Sequence, residues 1–201
     1  MKTMERNSAV DLLAIHMLGE LSEKQRERIL EDWRDEDYRD DSSQVYDSRT
    51  RIYIWDRVGG KPGREEESVL LDALRHGLCG VMNSYLEDEI VRAGYGAVKV
   101  VGEAELLFGC PCCGFRTLQS RGEYDICKVC FWEDNGCDDP ERYCGPNHMT
   151  LAQGRSNFER LGVSEPGARE FVDPDRMRKY SLDNRRLWTF QRGRGDPLDE
   201  T

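Results

Sequence analysis

The chain has 201 residues, 38% hydrophobic and 34% charged, with a formal net charge of −10. That length allows one ordinary domain or two small ones, and four Trp, eight Tyr and six Phe supply enough aromatic bulk for a modest core. The acidity disfavours nucleic acid and anionic membranes as partners of the whole chain and favours a basic protein instead.

Taken in chain order, Ser8 to Leu18 places Val10, Leu13, Ile15, Met17 and Leu18 as an amphipathic helix would. This N-terminal segment carries Asp11, His16 and Glu20, so it is not the core of a signal peptide, and no apolar run approaches the roughly 20 residues of a membrane span. A cytoplasmic location is expected by default. Ser22-Glu23-Lys24-Gln25 has the spacing of a capping box and predicts a second helix that buries Ile29, Leu30 and Trp33. Seven acids between Glu31 and Asp41 then suggest a fraying helix end and a solvated loop. Arg51 to Trp55 alternates polar and apolar and predicts a strand. Ser68 to Val91 predicts one long helix carrying Leu70, Leu74, Leu78, Val81, Tyr85 and Ile90, stopped by Gly94 and weakened at Gly77 and Gly80. Val98 to Val101 predicts a short strand.

Eight cysteines follow an uneven distribution: Cys79 stands apart, while Cys110, Cys112, Cys113, Cys127, Cys130, Cys137 and Cys144 share one segment. In a reducing compartment such clustering points to metal ligands before disulfides. Cys110-Pro111-Cys112-Cys113-Gly114 contains C-P-x-C-G, and Cys127-Lys128-Val129-Cys130 supplies a second C-x-x-C. Each is a tight turn whose two sulfurs converge, with proline presetting the turn and glycine relieving crowding after it. The thirteen residues between Cys113 and Cys127 accommodate two short strands, Phe115–Gln119 and Tyr124–Ile126. The predicted site is therefore a four-thiolate shell of Cys110, Cys113, Cys127 and Cys130, holding structural zinc, with iron ranked below it.

Cys112 adjoins Cys113 and cannot easily face the same ion, so it is read as a spare thiol or a support for the site. Cys137, Cys144 and His148 could form a second site, but their spacing is irregular and surface or half-buried thiols are the preferred reading. His76 and Cys79 are read as packing residues. Between Glu123 and Glu141 stand seven acids and one base, Lys128, a face that repels phosphate. Residues 176 to 194 reverse this, with seven bases against the single acid Asp183, interspersed with Tyr180, Trp188 and Phe190. A basic extension docked on the acidic body is preferred there over a nucleic-acid-binding tail.

Residues 110 to 136, CPCCGFRTLQSRGEYDICKVCFWEDNG, closely resemble the cysteine-rich CPCC family of small bacterial proteins. The resemblance runs on through Gly145 to Leu151 and Ala152 to Phe158 and spans about residues 108–174. It implies a bacterial protein with a zinc-binding, rubredoxin-like core, and brings no activity with it. Among the matching residues, Phe131-Trp132 suits capping of the metal, and Glu133-Asp134 suits bonds to backbone amides or to Arg116 or Arg121. Asn147 could start a helix from Thr150 to Leu161 that buries Leu151, Phe158 and Leu161. Gly154 stands where a helix would favour alanine.

The expected fold is α+β: a mainly helical region at 1–96, a zinc-ribbon (rubredoxin-like) β-hairpin domain with a flanking helix at 97–172, and a basic tail at 173–201. Four cysteines close a zinc shell, the three histidines are scattered, and no phosphate-binding glycine loop occurs, so the protein is not expected to be an enzyme. The expected role is a protein-interaction module for a basic partner, with the charge balance of immunity proteins that neutralise basic toxins. The alternatives are a nucleic-acid-associated regulator acting through the tail and a rubredoxin-like redox or metal-sensing protein.

Overall fold

The computed structural model describes residues 2–39 and 64–183, so the strand expected at 51–55 and the bases from Arg185 onward lie outside the described residues. The fold is α+β, with helices and, among the described residues, three small two-stranded sheets. It divides into two compact units: the first comprises Met1–Cys79 and Leu86–Glu103, the second Gly80–Tyr85 and Ala104–Thr201. No helix among the described residues is long and apolar enough to cross a membrane.

In the first unit, strand β1 (Lys2–Glu5) runs into helix α1 (Arg6–Glu20), followed by α2 (Glu23–Arg39) and α3 (Arg64–Gly77). The capping box forms: Ser22 Oγ accepts from Gln25 N at 3.4 Å, and Ser22 N donates to Gln25 Oε1 at 2.9 Å. Helix α3 packs on α1 and α2. The apolar faces meet at Ala9, Leu13, Ala14, Val69, Leu70 and Leu74, all buried. Ile29 and Leu30 are only half-buried on α2.

The single helix expected from Ser68 to Val91 is broken in two, with α4 starting anew at Asn83 and running to Arg92. The cause is Gly80, whose φ of +70° is left-handed and whose N–H donates to Glu105 Oε2 at 2.8 Å rather than continuing a helix. A Cβ at that position would collide with the Leu107 side chain. The strand β2 (Val98–Val101) does not lead into the cysteine region. It pairs in parallel with β1, Lys2 opposite Val98 and Glu5 opposite Val101. Val100 N on this strand donates to Glu87 Oε1 at 2.9 Å.

The second unit contains β3 (Phe108–Gly109), β4 (Arg116–Leu118), β5 (Tyr143–Cys144), β6 (Met149–Thr150), helix α5 (Leu151–Leu161), a 3-10 turn at Pro166–Glu170, and a short helix α6 (Arg176–Lys179). The expected hairpin of 115–119 with 124–126 is not the pairing adopted. β4 pairs backward with β3, and Ile126 bridges forward to Glu133. Each cysteine turn is thus the bend of its own small hairpin. On the other edge of β4, Phe115 bridges Leu182, and Arg116 N donates to Ser181 O at 2.8 Å. Residues 181–183 therefore form part of this unit. Thr150, not Asn147, caps α5: its side chain accepts from Gln153 N, and Gln153 completes a capping box. Asn147 is occupied elsewhere, exchanging bonds with Glu133 N at 2.9 Å and Glu133 O at 2.8 Å. Gly162, left-handed at φ +75°, ends the helix.

Candidate metal centre

The two cysteine turns are nearly the same object. In the first, Gly114 N donates to Cys110 O at 2.9 Å, Cys110 N to Phe115 O at 2.8 Å, and Cys112 N to Cys110 Sγ at 3.4 Å. In the second, Phe131 N donates to Cys127 O at 2.8 Å, Cys127 N to Trp132 O at 2.9 Å, and Val129 N to Cys127 Sγ at 3.4 Å. Both need a left-handed residue at the fifth position. Gly114 meets that at φ +81°, but the second turn places Phe131 there at φ +67°. An L side chain costs about 1–2 kcal/mol in that conformation. Phe131 recovers part of it by stacking on Phe171, ring centroids 5.4 Å apart.

The turns bring Cys110, Cys113, Cys127 and Cys130 together, with all four Sγ atoms within 4.8 Å of one another. Cys110 and Cys130 are separated by 3.6 Å, Cys113 and Cys127 by 3.5 Å. These spacings are far longer than a disulfide. They match a tetrahedral shell, where metal–sulfur bonds of about 2.3 Å set sulfurs about 3.8 Å apart. All four are buried, Cys113 most exposed at 7%. Four buried thiols without a cation would be a poor use of a core, since their charged forms lack solvent; a divalent ion resolves that conflict.

Titration behaviour carries the same message. Burial pushes the Cys113 and Cys130 thiols well above the ordinary thiol range and the Cys110 thiol above it. Burial opposes ionisation of Cys127 as well. The bonds it accepts from the other three thiols, and from Thr117 Oγ1 at 3.0 Å, outweigh this and hold it well below that range. Of the four sulfurs, Cys127 is the one whose anion the surrounding donors favour.

The surroundings lock the geometry. Trp132, fully buried, lies against α5, where a Cβ on Gly154 would approach its ring to 2.6 Å. This explains glycine in place of the expected alanine. Asp134, also fully buried, accepts from Arg121 Nε at 2.7 Å and from Gly122 N at 2.9 Å. Arg121 also reaches Asp138 at 2.8 Å, and Asp125 accepts from Gln119 N and Ser120 N. Several acids of this region are therefore engaged in holding loops. The charge density read from sequence is only partly displayed as a free acidic face.

Cys112 is buried but lies outside the four-sulfur group, its Sγ 3.4 Å from the position a Gly154 Cβ would take. Cys137 and Cys144 are not surface or half-buried thiols: both are buried, at 7% and 0% exposure. Cys144 Sγ accepts from Asn147 Nδ2 at 2.9 Å, and the Cys137 thiol points to Asp139 O at 3.7 Å. His148 is exposed, and among the described residues no second metal-type group forms. His76 and Cys79 are half-buried in the first unit.

Arg155, which sequence reading left without a role, and Arg176, read there as the first base of the tail, meet the turns directly. Arg155 Nε donates to Pro111 O at 3.1 Å and Arg176 Nε to Val129 O at 2.7 Å. No spacing rule reveals such contacts, which span 44 and 47 residues. Lys179 pairs with Asp173 at 2.5 Å and Arg178 with Asp175 at 3.5 Å, so these first bases of the tail are engaged within the unit.

Two C-x-x-C turns with four converging sulfurs form a ribbon-like four-cysteine cluster that could hold a metal ion. Residues 108–178 match the family described as Cysteine-rich CPCC, close to the span over which the sequence resembled it. No curated protein and no solved structure matches the chain.

Proposed function

We propose that this chain is a non-enzymatic protein-interaction module whose ribbon is held by one structural zinc ion on Cys110, Cys113, Cys127 and Cys130. The observation that carries the metal assignment is the convergence of four buried sulfurs at tetrahedral spacing. A shell filled by four protein ligands leaves no open position for water or substrate, which argues for a structural ion over a catalytic one. Iron competes for the same sulfurs. Elemental analysis of the purified full chain separates the cases: one zinc per chain, with folding of the ribbon lost on chelation, supports the reading. One iron per chain favours electron transfer instead, and no metal overturns both.

The partner suited to a chain of net charge −10 is a basic protein, with cationic nuclease toxins as a representative class. Association should weaken as salt rises, chiefly through a slower on-rate. A basic-protein affinity unchanged between low and high salt would remove the charge argument.

A further inference from the structure

Strand β4 is held on both edges, by β3 on one side and by residues 181–183 on the other, and its central residue, Thr117, is buried. A buried mid-strand position of this shape ordinarily suits valine, because threonine adds a hydroxyl that costs about 1–3 kcal/mol if it finds no partner. The partner here is a sulfur: Thr117 Oγ1 donates to Cys127 Sγ at 3.0 Å. Val129 N and Cys130 N reach the same sulfur at 3.4 and 3.5 Å, so the hydroxyl is the nearest of these three donors. The bond also joins the two halves of the cluster. Thr117 stands four residues past Cys113, in the hairpin of the first turn, while Cys127 opens the second turn. The matching position, four residues past Cys130, is Asp134, whose Oδ2 accepts from Arg121 and Gly122 and which has no hydroxyl to offer a sulfur. Two turns of nearly the same build thus receive different support, and the side-chain donor falls to Cys127.

We propose that Thr117 is a positioning residue of the metal centre: its hydroxyl ties the first ligand of the second turn to the strand that follows the first turn, and draws charge from that one thiolate. The inference rests on the metal reading above. A hydrogen bond donated to a thiolate favours the state with more negative charge on sulfur, and such bonds are among the levers that set the reduction potential of iron–thiolate centres. Groups that orient metal ligands from behind typically contribute about 10–100-fold in metal affinity.

The test uses the full chain with two substitutions. Thr117→Val matches the shape, removes the hydroxyl and leaves no buried donor unpaired, whereas Thr117→Ser keeps the hydroxyl and removes the methyl. In iron-substituted protein the Val variant should shift the reduction potential downward, because the lost bond stabilised the more negative reduced centre, and the Ser variant should stay near the parent. In zinc-loaded protein the Val variant should release the ion to a chelator about 10-fold faster, with Ser recovering most of the difference. A Val variant at the parental potential overturns the proposal whatever its release rate, since a purely structural role would leave the potential alone. Val and Ser variants displaced alike also overturn it, assigning the effect to the methyl and its packing. A parent chain that takes up neither zinc nor iron defeats the metal reading itself, before any variant is compared.

Discussion

Gly154→Ala is the sharpest probe of the packing that surrounds the metal centre. In an unencumbered helix this change should stabilise by about 1 kcal/mol, because glycine costs backbone entropy. Here the added Cβ meets Trp132 Cζ3 at 2.6 Å and Cε3 at 2.9 Å, and Cys112 Sγ at 3.4 Å. Ordinary carbon contacts begin near 3.5 Å, so the indole must retreat by close to an ångström. It has no room: Trp132 is fully buried, and its carbonyl is tied to Cys127 N at 2.9 Å. Overpacking costs about 1–3 kcal/mol, and with two buried ring carbons nearer than 3.0 Å the upper part of that range, about 2–3 kcal/mol, applies; this exceeds the propensity gain, and the strain falls on the second cysteine turn. The expected result is a net loss of about 1–2 kcal/mol in denaturant unfolding of the metal-loaded protein, together with faster metal release. Gly19→Ala in α1 is the control, since nothing lies within 4 Å of its added Cβ, and it should stabilise by up to about 1 kcal/mol. A Gly154→Ala protein as stable as its parent, with unchanged release, would refute this account of the Trp132 contact.

Three further expectations follow from the site. Phe131→Ala should be less stable than Phe131→Gly, inverting the usual order, because alanine keeps the left-handed strain while both lose the Phe171 stack; melting temperatures decide it, and alanine at or above glycine refutes the strain argument. Cys113→Ser and Cys127→Ser should abolish stoichiometric zinc, whereas Cys112→Ser should retain it in elemental analysis at a cost of about 1 kcal/mol for a buried hydroxyl; equal loss from all three would show the ligand set to be wrong. Zinc affinity should climb with pH, since each cysteine ligand must give up its thiol proton to bind; protons should be released on binding in a buffered calorimetric titration, and an affinity flat in pH would contradict the four-thiolate shell.

The metal turns were the most legible part of the sequence because a C-x-x-C turn is a local object, its bonds closing within five residues. Helices α1 and α2 were legible for a similar reason, apolar periodicity in the first and the Ser22–Gln25 capping box of the second being written in adjacent positions. What escaped was everything decided at a distance. The break at Gly80 depends on Glu105 and Leu107, which no helical pattern announces. β2 joined β1 across nearly the whole first unit, and the expected hairpin gave way because each cysteine turn closes on its own flanking residues. Asn147 has the chemistry of a helix cap, yet Glu133 and Cys144 claimed its amide first. Glycine at 154 became intelligible only with Trp132 beside it.

The two units are braided along the chain, the second owning Gly80–Tyr85 before the first reclaims Leu86–Glu103. A single cut therefore cannot free either one intact. A fragment beginning at Ala104 would carry every metal ligand but lose Met82, whose N–H donates to Lys179 O at 2.8 Å. It would also lose Tyr85, whose ring lies 5.3 Å from Lys179 Nζ. The cysteine-rich piece is thus not a portable cassette. A borrowed strip of upstream chain is part of its construction, and any fusion or truncation that respects only the cysteine motif will sever it.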